Sequence, residues 1–131
     1  MTIKHMQMPI ITLTNGLRVG NFSSPHAFTF TDGSILPACS DDRSNRGKLD
    51  AVEILHDGIR GTKDIEISFK LNPVIRKMIN EAQTARCCDV VLVPFPVLRA
   101  MKDEGLPLGR LRVIRSANRI TKEIHIDRFC I

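Results

Sequence analysis

The densest run of chemically useful side chains lies near the end of the chain, where Arg110, Arg112, Arg115, Asn118 and Arg119 fall within ten residues. If the segment is a strand, Arg110 and Arg112 share one face, because side chains alternate from residue to residue. Arg115 and Arg119 flank a turn made of Ser116, Ala117 and Asn118. Arginine presents a planar fork of donors that matches phosphate oxygens. A turn with open amides adds to such an anion site. The spacing therefore predicts a phosphate clamp. The competing reading is a solvated basic strand edge, which guards a sheet against aggregation.

Two phenylalanines are candidates for stacking on a base. Phe22 sits in NFSSPH at 21–26, beside Ser23, Ser24 and His26. Its ring would stack while a hydroxyl reads an edge; the alternative is a structural turn with Phe22 in the core. Phe95 sits between Pro94 and Pro96, where a strand is expected to meet a helix, and Arg99 follows one helical turn later. A helix start with open amides attracts anions; the alternative is that Phe95 plugs the core. The NFS triplet also spells a glycosylation sequon, discarded here for an intracellular chain.

The remaining chemistry is sparse. Ser40, Asp41, Asp42, Arg43 and Arg46 form a mixed-charge cluster that would hold Mg²⁺ or form a self-capped turn with surface ion pairs. His5, His26, His56 and His125 show no zinc spacing. His125 and Asp127 share a strand face and would need Cys130 or Cys39 close by to act as a nucleophile–base set. Cys39, Cys87, Cys88 and Cys130 read as reduced, mostly buried thiols. Walker A, GxGxxG and GxSxG patterns are absent from the sequence. The expectation is a chain that binds without catalysing, with no cofactor and no metal.

Positioning these residues requires an α+β fold. Asn15-Gly16 and Asp32-Gly33, each between apolar runs, predict two N-terminal hairpins with tight type I′ turns. Residues 51–56 read as a strand. Residues 64–71 alternate, with Ile65, Ile67 and Phe69 on one side, and predict a half-buried strand. Asn72 and Pro73 open a helix with an apolar stripe through Val74, Ile75, Met78, Ile79 and Ala82. A buried strand at 89–93 follows, then a helix from about 96 to 104 that stops at Gly105. Strands at 110–116 and 123–129 close the chain. The expected architecture is a mostly antiparallel sheet with both helices packed on one face. All 131 residues form one domain, with 1–9 as a loose N-terminal arm.

Composition sets limits on partners. A net charge of +5 favours anionic partners. Six Phe with no Tyr and no Trp argue against a stacking platform for single-stranded nucleic acid. No apolar run approaches the ~20 residues of a membrane span, and the opening residues lack a signal-peptide core. Cytoplasmic residence is expected.

Four segments carry a family resemblance: LTNGLRV at 13–19, NFSSPH at 21–26, DGSILPACS at 32–40 and VPFPVL at 93–98. They resemble small accessory proteins of tailed phages. Chain size, paired helices and the arginine-rich end are similar to the Thoeris anti-defence 1 family. The resemblance implies an oligomeric sponge in the host bacterial cytoplasm that sequesters a cyclic ADP-ribose signal without cleaving it, with cyclic oligonucleotides as further ligands. The ligand-binding set expected on this reading is Phe22, Phe95, Arg99, Arg110, Arg112, Arg115, Asn118 and Arg119. The alternative is a host-takeover protein that binds a bacterial protein or nucleic acid through a basic face.

Overall fold

The computed structural model describes residues 8–39, 49–84 and 87–131. The mixed-charge cluster at 40–46 and most of the expected N-terminal arm lie outside them. The fold is α+β. Among the described residues, nine strands and two α-helices run in the order β1 (Ile10–Thr12), β2 (Arg18–Asn21), β3 (Phe28–Thr29), β4 (Ile35–Leu36), β5 (Asp50–Asp57), β6 (Lys63–Lys70), α1 (Pro73–Thr84), β7 (Val90–Leu92), α2 (Phe95–Asp103), β8 (Leu111–Ser116) and β9 (Ile124–Cys130). A five-stranded sheet has the order β1-β2-β7-β8-β9, and β3-β4 and β5-β6 form separate hairpins.

Most pairings are antiparallel, but β7 runs parallel to both β2 and β8. Parallel strands need both faces covered, and each face here has its own core. On one side Ile75, Ile79 and Ala82 of α1 and Val97, Leu98 and Met101 of α2 pack with Val91, Val93 and Leu111. On the other, Phe30 and Leu36 from the β3–β4 hairpin pack with Val19, Leu92 and Ile124. Both helices thus lie on one face of the sheet and a small hairpin covers the opposite one.

Local signals place the helices. The Asn72 carboxamide oxygen accepts from the Ile75 amide at 2.8 Å, capping α1 ahead of Pro73. Gly105, at φ 72°, ends α2, and its amide donates to the Lys102 carbonyl. At the same end of α2, Glu104 accepts from Arg76 and from the Leu71 amide, which ties the two helices together.

The N-terminal turns differ from the type I′ expectation. Leu13 N–H donates to Leu17 across a three-residue loop, and Phe30 N–H donates to Ser34 across another. Only the glycines, Gly16 and Gly33, adopt positive φ there. Asn15 and Asp32 do not take positive φ and use their side chains instead. Asn15 accepts from Leu17 N–H and donates to the Ile126 carbonyl on β9. Asp32 accepts from the amides of Ser34 and Thr14, at 2.8 and 2.9 Å. The two hairpin tips are thereby joined to each other and to the sheet.

The strand at 63–70 also departs from expectation. It pairs with β5 over eight residues, yet Ile65, Ile67 and Phe69 are each more than half exposed. The alternation is present, but its apolar side is more than half exposed.

The amides of Thr14 and Ser34 hold the Asp32 carboxyl down at about 2. A carboxyl depressed on folding contributes stability that is complete above its unfolded value near ~3.9 and disappears as pH falls through the folded value. Asp32→Asn should therefore melt below wild type at pH 7. The difference in Tm should shrink between about pH 4 and pH 2, as thermal denaturation followed by circular dichroism would measure.

Candidate functional site

The carboxyl ends of β2 and β7 lie side by side, and the chain leaves both strands through short polar or proline-rich turns. After β2, the side chain of Asn21 is fully buried. It donates to the carbonyls of Ser24 (3.1 Å) and Pro37 (3.0 Å) and accepts from Ser24 N–H at 2.8 Å. Ser24 Oγ in turn exchanges hydrogen bonds with the backbone of His26. After β7, Val93 is buried and Pro94 precedes α2.

These turns wall a cavity of about 520 Å³ lined by Ser23, Pro25, Phe28, Val93, Phe95 and Ile114 among others. Its lining is mostly apolar. Ligands of open α/β sheets commonly bind outside the carboxyl ends of parallel strands, and this cavity has that position. A second cavity of about 500 Å³ adjoins it, lined on the far side by Ser116, Arg119, Thr121 and Lys122. Phe28 and Ile114 line both, so the two form one groove, apolar at one end and cationic at the other.

The cationic end is built on the β8–β9 turn. Asn118 Oδ1 accepts from the amides of Ile120 and Thr121 (2.7 and 3.2 Å), and Lys122 N–H donates to the Asn118 carbonyl. Lys122 holds φ 58°, a left-handed conformation that costs a non-glycine residue about 1–2 kcal/mol. Arg119 and Lys122 are exposed and make no ion pair among the described residues. Asn118 is thus a shaping residue whose acceptor oxygen is occupied by the backbone.

The structure redistributes the other sequence-derived candidates. Phe22 is 1% exposed and belongs to the helix-side core, so it cannot stack on a ligand. Its ring points inward because β2 ends there and its amide still donates to Leu92 across the sheet. Phe95 is 60% exposed and overhangs the apolar end of the groove. Arg99 lies one turn along α2, on the side of Phe95 away from the groove; it pairs with Asp103 at 3.3 Å and lines a separate cavity against β6. Arg110 donates to the Cys88 carbonyl, and Arg112 donates to the carbonyls of Gly109 and Leu111. These two guanidiniums secure the entry to β8, and neither lines the groove. Arg115 is exposed on β8 and lines neither half. A five-residue clamp therefore does not assemble in the single chain; Arg119 is its one member on the groove.

The start of α2 is a poor anion seat. Pro96 has no N–H, and the amides of Val97 and Leu98 already donate to the Pro94 carbonyl. Sequence reading missed Phe28, Ile114 and Lys122. Phe28 was visible only as a hairpin residue, Ile114 as one side of an alternating strand, and Lys122 carried no signal of its backbone conformation.

The thiols do not form a reactive centre. Burial, with a further contribution from the neighbouring Cys87, pushes the Cys88 thiol up to about 12. Cys39 is buried and its thiol lies 3.2 Å from the Asn21 carbonyl. Among the described residues no hydrogen bond joins His125 to Asp127 or to a cysteine, and no three His, Cys, Asp or Glu gather as a metal site. Among the described residues no helix is long and apolar enough to cross a membrane. Comparison with protein-family models, curated proteins and solved structures finds no match.

Because a thiol must ionise to react, a maleimide at pH 7.5 should label exposed Cys87 at least about tenfold faster than buried Cys88. Peptide mapping by mass spectrometry would measure the ratio. Asn21→Ala should lower stability by about 2–4 kcal/mol, since it removes a buried carboxamide that holds two partly buried carbonyls and an amide at once. Urea denaturation would measure that loss.

Proposed function

We propose that this chain binds a small phosphorylated nucleotide and releases it chemically unchanged. The observation that carries the reading is the single groove shared by Phe28 and Ile114, with an exposed Phe95 at its apolar end and Arg119 and Lys122 at its cationic end. A base is flat and apolar on its faces and stacks on an aromatic ring for about 1–3 kcal/mol. Phosphates suit a guanidinium fork beside an ammonium. The two halves of the groove offer these surfaces at opposite ends, with a combined volume in the range of small-molecule sites. At the cationic end the Thr121 hydroxyl donates to the Glu123 carboxylate only at a long 3.5 Å, and neither histidine nor cysteine lines the groove among the described residues, which favours binding without turnover.

Read with the sequence resemblance, the ligand class is a cyclic nucleotide immune signal, a cyclic ADP-ribose isomer or a cyclic oligonucleotide. The biological role is then its sequestration by a phage-encoded oligomer in the bacterial cytoplasm. Isothermal titration against a panel of cyclic ADP-ribose isomers and cyclic di- and trinucleotides tests this, with chromatography of the ligand recovered after heating the complex. One compound should bind and return intact. Phe95→Ala should weaken its binding about 10- to 100-fold, and the Arg119→Ala/Lys122→Ala pair by a similar factor. Arg99→Ala should leave it within about twofold. A new product peak, or no binding across the panel, overturns the proposal.

A further inference from the structure

Three sulfur atoms from separate parts of the chain gather over one glycine. Gly20 lies in β2, between β1 on one side and β7 on the other. Ile10 of β1 pairs with it, and the Pro9 carbonyl accepts from the Asn21 amide, which holds the preceding Met8 against this flank. On the other flank the Asp89 amide donates to the Arg18 carbonyl at 2.9 Å, which holds Cys88 there. A side-chain carbon at Gly20 would meet Cys88 Sγ at 2.8 Å and Met8 Sδ at 3.2 Å, so both sulfurs lean into the space that glycine leaves open. Met8 and Cys88 are both buried. Cys87 Sγ lies 3.6 Å from Cys88 Sγ, and Cys87 is exposed. The set thus has a buried thiol and thioether for its floor and an accessible thiol at its mouth.

We infer that Met8, Cys87 and Cys88 form a binding site for a soft monovalent metal ion, Cu⁺. Donor chemistry selects the ion. Thiolate and thioether sulfurs favour Cu⁺. A closed zinc site takes four ligands, and among the described residues no His, Asp, Glu or further Cys gathers with these two thiols. Asp89 follows them in the chain, but both its carboxylate oxygens accept from Arg18. The geometry agrees. A metal at the usual ~2.3 Å from each thiolate would see the two cysteine sulfurs at an angle of about 100°, so chelation needs only small side-chain rotations. Disulfide closure is the poorer use of the pair. Adjacent Cα atoms are ~3.8 Å apart, short of the ~4.4–6.8 Å of ordinary disulfides. Coordination displaces the two thiol protons and leaves one net negative charge on the complex. The Arg18 guanidinium is near enough to both thiols to offset it. Cys88 precedes β7, whereas the groove opens beyond the other end of that strand, and the two sites share no residue.

Metal binding is separate from nucleotide binding and does not rest on it. Titration of the full chain, without oxygen, against Cu⁺ held by bicinchoninate tests it directly. The chain should withdraw a single equivalent of copper from the chelator. Bound copper should slow maleimide labelling of Cys87 at least about tenfold, and the same amount of Zn²⁺ should not. Cys87→Ser should weaken copper binding at least about 100-fold, and Met8→Leu, which keeps the volume and removes the thioether, about tenfold. Cys130→Ser, away from the site, should leave it within about twofold. Cys87 is exposed, so circular dichroism of Cys87→Ser should match wild type. X-ray absorption of the copper-loaded wild-type chain provides a readout that needs no variant, and should show sulfur alone around the metal. No withdrawal of copper, equal protection by zinc, a Cys87→Ser or Met8→Leu variant that binds as wild type, a loss on Cys130→Ser, or nitrogen or oxygen bound to the metal each overturns the inference.

Discussion

The buried carboxamide of Asn21 is the junction on which the site side of the molecule depends. A polar side chain removed from water must find all its partners in the protein. Asn21 does so by binding the backbone of Ser24 and Pro37. Its own amide donates to Pro9, and its carbonyl faces the Cys39 thiol. One residue thereby ties the end of β2 to the chain before β1, to the turn at 22–26 and to the segment after β4. Those bonds hold the turn whose Ser23, Ser24 and Pro25 form one wall of the groove.

The two cores then divide the labour. The helix-side core fixes where β7 ends and α2 begins, and so where Phe95 emerges. The hairpin-side core seats Phe28 over Ile114 and joins the two halves of the groove. Asp32, Thr14 and Asn15 brace that hairpin against the sheet through side chain to backbone bonds. In the same way, Arg18 and Asp89 clip the starts of β2 and β7 together, with the Asp89 carboxyl lowered by the guanidinium and backbone N–H of Arg18. Such exposed contacts add little stability singly; their effect is to set register at strand starts. Neither core draws on the β5–β6 hairpin, whose larger apolar side chains are exposed.

Local structure was legible in the chain wherever a residue type has one dominant backbone preference. Asn72 and Pro73 marked the start of α1, Gly105 the end of α2, and the apolar stripe of α1 its buried side. The α+β class and the two N-terminal hairpins followed from turn residues and periodicity. The turn type did not, because Asn-Gly and Asp-Gly serve a three-residue loop as well as a two-residue one. Tertiary bonds from Asn15 to Ile126 and from Asp32 to Thr14 accompany the longer form. The parallel centre of the sheet was hidden because strand direction is a property of pairs distant in sequence.

What the sequence determined by itself was therefore the inventory: elements, caps, an alternating strand that requires a cover, and basic residues near the end of the chain. What only the tertiary structure decided was which of those residues meet. Phe22 and Phe95 are the same residue type beside similar turns, yet one is in the core and the other overhangs a groove. Arg110, Arg112 and Arg119 lie within one short segment, yet two are spent on carbonyls and one lines the cavity. The physical reason is that burial and convergence are set by long-range packing. Local propensity reports only the few residues on either side.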